Sequence, residues 1–216
     1  MSTDTKLDGK FTFTTAVRMI FGNVIVPRAF KDKKTGKDKG EAKFDGTFLL
    51  EPGSADLKAA KALAASVAKT QWPGRDLKEL KFPFTLGEVL IKRGIDRAVK
   101  DGKEPRDQSF FEDHVVFVAR SKFEVGLGVL KGSTIEQFSG DKRHLAKDKF
   151  YNGCYVVPSV NFVAYESEFG DGVNAFLDAV LWVKDGEKLG GTTDLTNVFK
   201  GYAGTVTAED PGQDEF

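Results

Sequence analysis

Two basic side chains, Arg120 and Lys122, stand two residues apart in the run HVVFVARSK over residues 114–122. Side chains on an extended strand alternate between faces, so these cations share one face while Val115, Phe117, Ala119 and Ser121 take the other. A second run, YNGCYVVPSVNFVAY over residues 151–165, puts Cys154, Val156, Val160, Phe162 and Ala164 on one face with Asn152 and Pro158. Its other face carries Tyr151, Tyr155 and Tyr165 among Gly153, Val157, Ser159, Asn161 and Val163. Cations that follow phosphates and rings that stack on bases are what a protein needs to hold a single nucleic-acid strand without choosing its sequence. Each stacked base contributes roughly 1–3 kcal/mol, so a few well-placed rings suffice. The pattern has a plainer account as well. Paired cations are common on solvent-facing strands, and surface tyrosines keep their hydroxyls in water.

The same inventory offers no catalytic constellation. His114 and His144 are the only histidines and Cys154 the only cysteine, so no zinc set of Cys and His can be assembled. No nucleophile elbow, phosphate-binding loop or paired-histidine metalloprotease motif is present. The Gly126-Leu127-Gly128 run lacks the third glycine and the helix of a dinucleotide loop. A metal-dependent nuclease would need carboxylates converging in space, but the acids mostly sit beside lysines in loop-like sequence. The reading is therefore not an enzyme, with no cofactor and no metal. Cys154 lies in an apolar strand and reads as a buried, inert thiol.

Charge is distributed unevenly. Lys and Arg total 32 and Asp and Glu total 32, yet 28 of the acids precede residue 209, so residues 1–208 carry a formal +4. The other four, Glu209, Asp210, Asp214 and Glu215, fall just before the terminal Phe216. A basic body with an acidic tail points toward nucleic acid and toward an interaction tail. Residues 31–43 (KDKKTGKDKGEAK) concentrate Lys33, Lys34, Lys37, Lys39 and Lys43 with two glycines, and read as a mobile basic loop. The opening residues show no signal peptide, and no stretch approaches the roughly 20 apolar residues of a membrane span.

The elements that must position these residues are mainly strands. Residues 10–26, rich in Phe, Thr, Val and Ile, read as one long strand bent at Gly22. Residues 43–51 resume a strand that pairs with it across the basic loop. An Ala-rich helix with Ser54 as N-cap follows, carrying Leu57, Ala60, Ala64, Val67 and Gln71 on one face and stopping before Pro73. Residues 86–99 form a weaker candidate helix. Residues 114–121 and 123–130 read as strands and 132–149 as a polar connection. Residues 151–166 and 173–184 form a hairpin whose alternation slips near Asp178-Ala179, leaving open whether Leu181 or Trp182 faces inward. Residues 192–199 suit a short helix. About six short strands with an early basic loop favour an OB-fold-like barrel with one or two inserted helices and a disordered acidic C-terminal tail. The domain reading is a DNA-binding barrel over residues 1–200 and a tail over 201–216.

Several segments together carry a family resemblance. Tyr151-Asn152-Gly153-Cys154-Tyr155-Val156, continuing through Ser159-Val160-Asn161-Phe162 and Ala164-Tyr165, is the most specific. His114 followed by Ala119-Arg120-Ser121-Lys122, then Asp185 to Gly191, and Ala42-Lys43-Phe44 with Thr47-Phe48-Leu49-Leu50 match in order along nearly the whole chain. The chain resembles a phage family of single-stranded DNA-binding proteins, similar in architecture to that of T7-like phages. The resemblance implies an OB-fold protein of phage DNA replication and recombination, in the cytoplasm of the infected bacterium. Its acidic tail would modulate DNA binding and dock replication proteins such as a polymerase, helicase or primase. A homo-oligomer is compatible with that reading. The rival from another class is a structural or interaction β-protein without nucleic acid, its tyrosines serving as interface residues.

Overall fold

The computed structural model describes residues 8–32 and 35–189. Among them are the strands β1 (Lys10–Thr12), β2 (Val17–Gly22), β3 (Arg28–Lys31), β4 (Asp38–Leu50), β5 (Phe84–Leu86), β6 (Val115–Ser121), β7 (Gly126–Lys131), β8 (Thr134–Phe138), β9 (Tyr155–Tyr165) and β10 (Gly172–Lys184). The helices are α1 (Ala55–Gln71) and α2 (Gly87–Lys100).

Five strands close a ring. β2 pairs antiparallel with β4, and β4 with β6. β6 meets β10 in parallel, β10 pairs antiparallel with β9, and β9 returns to β2. This is a mainly β, OB-like barrel. β7 and β8 extend the sheet beyond β10, and β1 lies on the outside of β9.

Phenylalanines fill the barrel. Phe48, Phe117 and Phe162 are fully buried. The Phe117 ring stacks on Phe84 at 5.1 Å and meets Phe13, Phe48 and Phe162 at 5.6, 6.1 and 6.1 Å. The helix α1 begins as its sequence demands, with the Ser54 hydroxyl accepting from the Leu57 amide. Its Leu57, Ala60, Ala64 and Val67 enter the core; the alanines let the helix axis approach β9 closely, while Gln71 stays exposed.

Three expectations need correction. First, residues 10–26 form two short strands instead of one. The amides and hydroxyls of Thr14 and Thr15 all donate to the Asp56 carboxylate, at 2.6–3.0 Å, and so leave the strand ladder. The irregularity in β2 falls between Met19 and Phe21, just before Gly22. Second, most of the basic segment 31–43 is a strand ribbon: β3 pairs with the first part of β4, with Lys31 opposite Asp38 and Arg28 opposite Lys43. Most of the described side chains of this ribbon are exposed, so it needs only its backbone ladder and its composition is that of a loop. Third, the stretch 132–149 contains β8 and a 3-10 segment, Gly140–Ala146. β8 is exposed along nearly its whole length and has no apolar alternation to betray it.

The hairpin of β9 and β10 forms as read, and its register slips between Leu177 and Ala179. Both Leu181 and Trp182 are half-buried, with Trp182 packed against the core. The candidate second helix is α2, which turns Leu90 and Ile91 onto a small cluster of Ile20, Leu49, Phe111 and Val116.

Candidate nucleic-acid interface

The outer face of the barrel across β4, β6 and β10 is concave. A cleft of about 580 Å³ opens there, lined by Lys43 from β4, Arg120 and Lys122 from β6 and its end, and Asn174 and Phe176 from β10. Phe82 and Pro83, from the segment leading into β5, form its other wall, and Glu41 is the one acid on its lining. The burial alternation along each strand explains the set. Val115, Phe117 and Ala119 point inward on β6, so Arg120 points out. Val173, Ala175 and Leu177 point inward on β10, so Asn174 and Phe176 point out.

Arg120 sits opposite Phe176 in the parallel pairing of β6 with β10, and opposite Asp45 in the pairing with β4. The Asp45 carboxylate already accepts from the Asn23 amide at 2.7 Å. Among the described residues, no ion pair involves Lys43, Arg120 or Lys122. The Lys122 ammonium lies 5.2 Å from the ring centre of Phe123, whose side chain is 67% exposed. The cleft thus presents unpaired cations around exposed phenylalanine, the combination that suits phosphates and bases.

The structure brings three of the expected residues together, Lys43, Arg120 and Lys122. It does not bring the tyrosines to them, because β10 lies between β6 and β9. Tyr165, at the end of β9, faces Gly172 and is half-buried. Tyr155, at the start, faces Lys184 and Arg18 and lines a separate cleft with Ser109, Phe110 and His114. Ten residues of strand separate them by about 33 Å. The Lys184 ammonium rests 4.7 Å from the Tyr155 ring centre.

Tyr151 precedes β9 and braces the chain. Its hydroxyl accepts from the Gly186 amide at 2.9 Å and lies 3.0 Å from Asp185 Oδ1 and 2.9 Å from the Gly186 carbonyl. Burial pushes the phenol's pKa above its ordinary value. The same docking explains the glycine of the Gly-Cys-Tyr-Val segment. Gly153 has φ +112°, and a Cβ there would stand 1.9 Å from the Glu187 carbonyl. Cys154 is fully buried, and desolvation pushes its thiol up to about 11, in keeping with an inert role.

Lys37 lies at the tip of the ribbon and Lys39 on β4, so the ribbon leads from its basic tip to Lys43 at the cleft. Lys33, Lys34, the candidate helix 192–199 and the tail residues Glu209, Asp210, Asp214, Glu215 and Phe216 lie outside the described residues. Sequence reasoning missed Phe176. Its signal was present in the order Asn174-x-Phe176-x-Asp178, interleaved with Val173, Ala175 and Leu177. Among the described residues, no group of three His, Cys, Asp or Glu side chains could hold a metal, and no helix is long and apolar enough to cross a membrane.

A closed five-strand barrel with a basic, aromatic cleft on its outer face defines an OB-like domain of the kind that accommodates oligonucleotides. The chain belongs to the family of the single-stranded DNA-binding protein of Enterobacter phage Enc34, whose family model matches residues 11–211. The solved structure of the bacteriophage Enc34 protein in complex with single-stranded DNA superposes with a TM-score of 0.62 at 20% identity, covering 84% of this chain and 90% of that one. A second solved structure of the bacteriophage Enc34 protein gives a TM-score of 0.61 at 20% identity, over 88% of this chain and 90% of that one. The bacteriophage T7 protein gp2.5 gives 0.46 at 12% identity, over 88% and 94%. No curated protein sequence matches.

Proposed function

We propose that this protein binds single-stranded DNA without sequence choice, along the outer face of β4, β6 and β10. The observation that carries the proposal is the juxtaposition of Arg120 and Phe176 in a cleft that also holds Lys43 and Lys122. Arg120, Lys122 and Lys43 contact phosphates, and Phe176 stacks on a base. Lys37, at the tip of the ribbon, adds positive charge beyond the cleft. Tyr165 and Tyr155 offer further rings on β9, while Tyr151 serves the fold. The family resemblance supports the nucleic-acid class and a non-enzymatic role in phage DNA replication and recombination inside the host cell.

The acidic tail ending in Phe216 supplies regulation and partner docking. Its carboxylates compete with phosphates for the cleft, and replication proteins take the terminal residues. The test of the binding reading is a fluorescence-anisotropy titration of labelled oligo-dT at low salt. Saturable binding that weakens steeply as salt rises is expected. No binding at low salt would overturn the proposal and favour a structural β-protein.

A further inference from the structure

Phe169 is the most exposed large apolar side chain in the described structure, at 79%. It sits on the short turn between β9 and β10, and that turn is held from several sides. The Gly170 amide donates to the Ser167 carbonyl at 3.0 Å, and the Ser167 hydroxyl donates to the Gly170 carbonyl at 2.7 Å. The Ser167 amide donates to one Asp171 oxygen at 3.2 Å, while Arg75 donates to the other at 2.6 Å. The Lys81 ammonium donates to the Phe169 carbonyl itself.

The turn is also locked to the cleft wall. The Lys81 amide donates to the Asp171 carbonyl at 3.0 Å, and the Val173 amide donates to the Lys81 carbonyl at 2.8 Å. The approach is so close that a Cβ on Gly172 would stand 2.2 Å from the Lys81 oxygen. Lys81 is followed by Phe82, which lines the cleft, and Gly172 is followed two residues later by Asn174, which lines it too. An apolar ring on a mobile loop would be unremarkable surface. Here the backbone that carries the ring is fixed before any ligand arrives, so little ordering remains to oppose binding.

We infer that Phe169 is a pre-positioned stacking platform for a nucleobase where the strand leaves the cleft on the side of Phe82. The inference rests on the single-stranded DNA reading above and extends its footprint past Phe176. A flat, sequence-tolerant ring is what such a position requires, since every base has a π-face. Phosphate contacts remain with Arg120 and Lys122.

The test compares Phe169→Ala, Phe169→Leu and Phe169→Trp in the full chain, using anisotropy titrations with oligo-dT long enough to overrun the cleft. Loss of one stacked base predicts affinity about 5- to 150-fold weaker for Phe169→Ala. Phe169→Leu should weaken binding as well, because it keeps apolar bulk but removes the ring. Phe169→Trp should bind like the wild type and add an indole emission that oligo-dT quenches. All three should melt with the wild type, since the side chain is exposed. Wild-type affinity in both Phe169→Ala and Phe169→Leu would overturn the inference alone. Failure of the wild type to bind oligo-dT would remove the functional reading and this inference with it.

Discussion

Arg120 and Phe176 are direct cross-strand partners in the parallel junction of β6 with β10, both pointing out of the barrel. A guanidinium and an exposed ring at one register position can take a phosphate and a base of the same nucleotide. Phe176→Ala removes the ring without opening the core, since the side chain is 36% exposed. Affinity for oligo-dT should fall by about 1–3 kcal/mol with an unchanged melting temperature. Titration alongside thermal denaturation checks both halves of the statement.

Strand alternation groups Tyr151 with Tyr155 and Tyr165, yet its hydroxyl is tied to the 185–186 segment. Tyr151→Phe should cost about 0.5–1.5 kcal/mol of stability and leave DNA affinity where it was. A chemical-denaturation midpoint measured beside a binding curve separates these roles. Weaker binding at unchanged stability would instead return Tyr151 to the DNA surface.

Asp56 lies in the first turn of α1 and is only 5% exposed. Burial raises its pKa, but donors from Thr15 and Thr14 outweigh this and hold it below the ordinary carboxylate value. Folding therefore favours the ionised form. That contribution is fully present above the ordinary carboxylate pKa and is lost as pH falls through the lowered folded value. Asp56→Asn should destabilise by about 1–3 kcal/mol near neutral pH, and the gap from the wild type should narrow on acidification. Urea denaturation at neutral and acidic pH reads both.

Removing residues 208–216 deletes the four tail carboxylates and Phe216. If the tail competes for the cleft, the truncated protein binds oligo-dT more tightly, and the gain shrinks at high salt, where the competing charges are screened. Equal affinity at low salt would remove competition and leave the tail to partner docking alone.

Much of the scaffold was legible in the sequence because burial imposes a period. The two-residue alternation of β9 from Tyr155, the N-cap at Ser54 and the slip near Asp178-Ala179 each leave a local trace. The ribbon of β3 and β4 and the strand β8 leave none, because both sit in solvent and are defined by backbone pairing. The cleft was half legible. Arg120 and Lys122 announce a shared face, but strand order decides what stands beside them. The strand that follows β6 in sequence is β7, whereas its barrel neighbours are β4 and β10. That rearrangement replaces the tyrosines of β9 with Phe176. The immediate neighbours of a ring do not mark its depth: Phe117 and Phe176 are each flanked by valine, alanine or leucine, and only the residues two positions away, Asn174 and Asp178, mark Phe176 as outward.

The central claim is that the outer face of β4, β6 and β10 holds the DNA backbone, and the salt dependence of binding tests it most directly. Each phosphate contact on a single strand contributes about 0.7 to the slope of log affinity against log salt. The double variant Arg120→Ala/Lys122→Ala should therefore bind oligo-dT more weakly at low salt, with a slope shallower than the wild type by about 1.4. Parallel slopes with equal affinities would place the DNA on another face of the barrel and contradict the account.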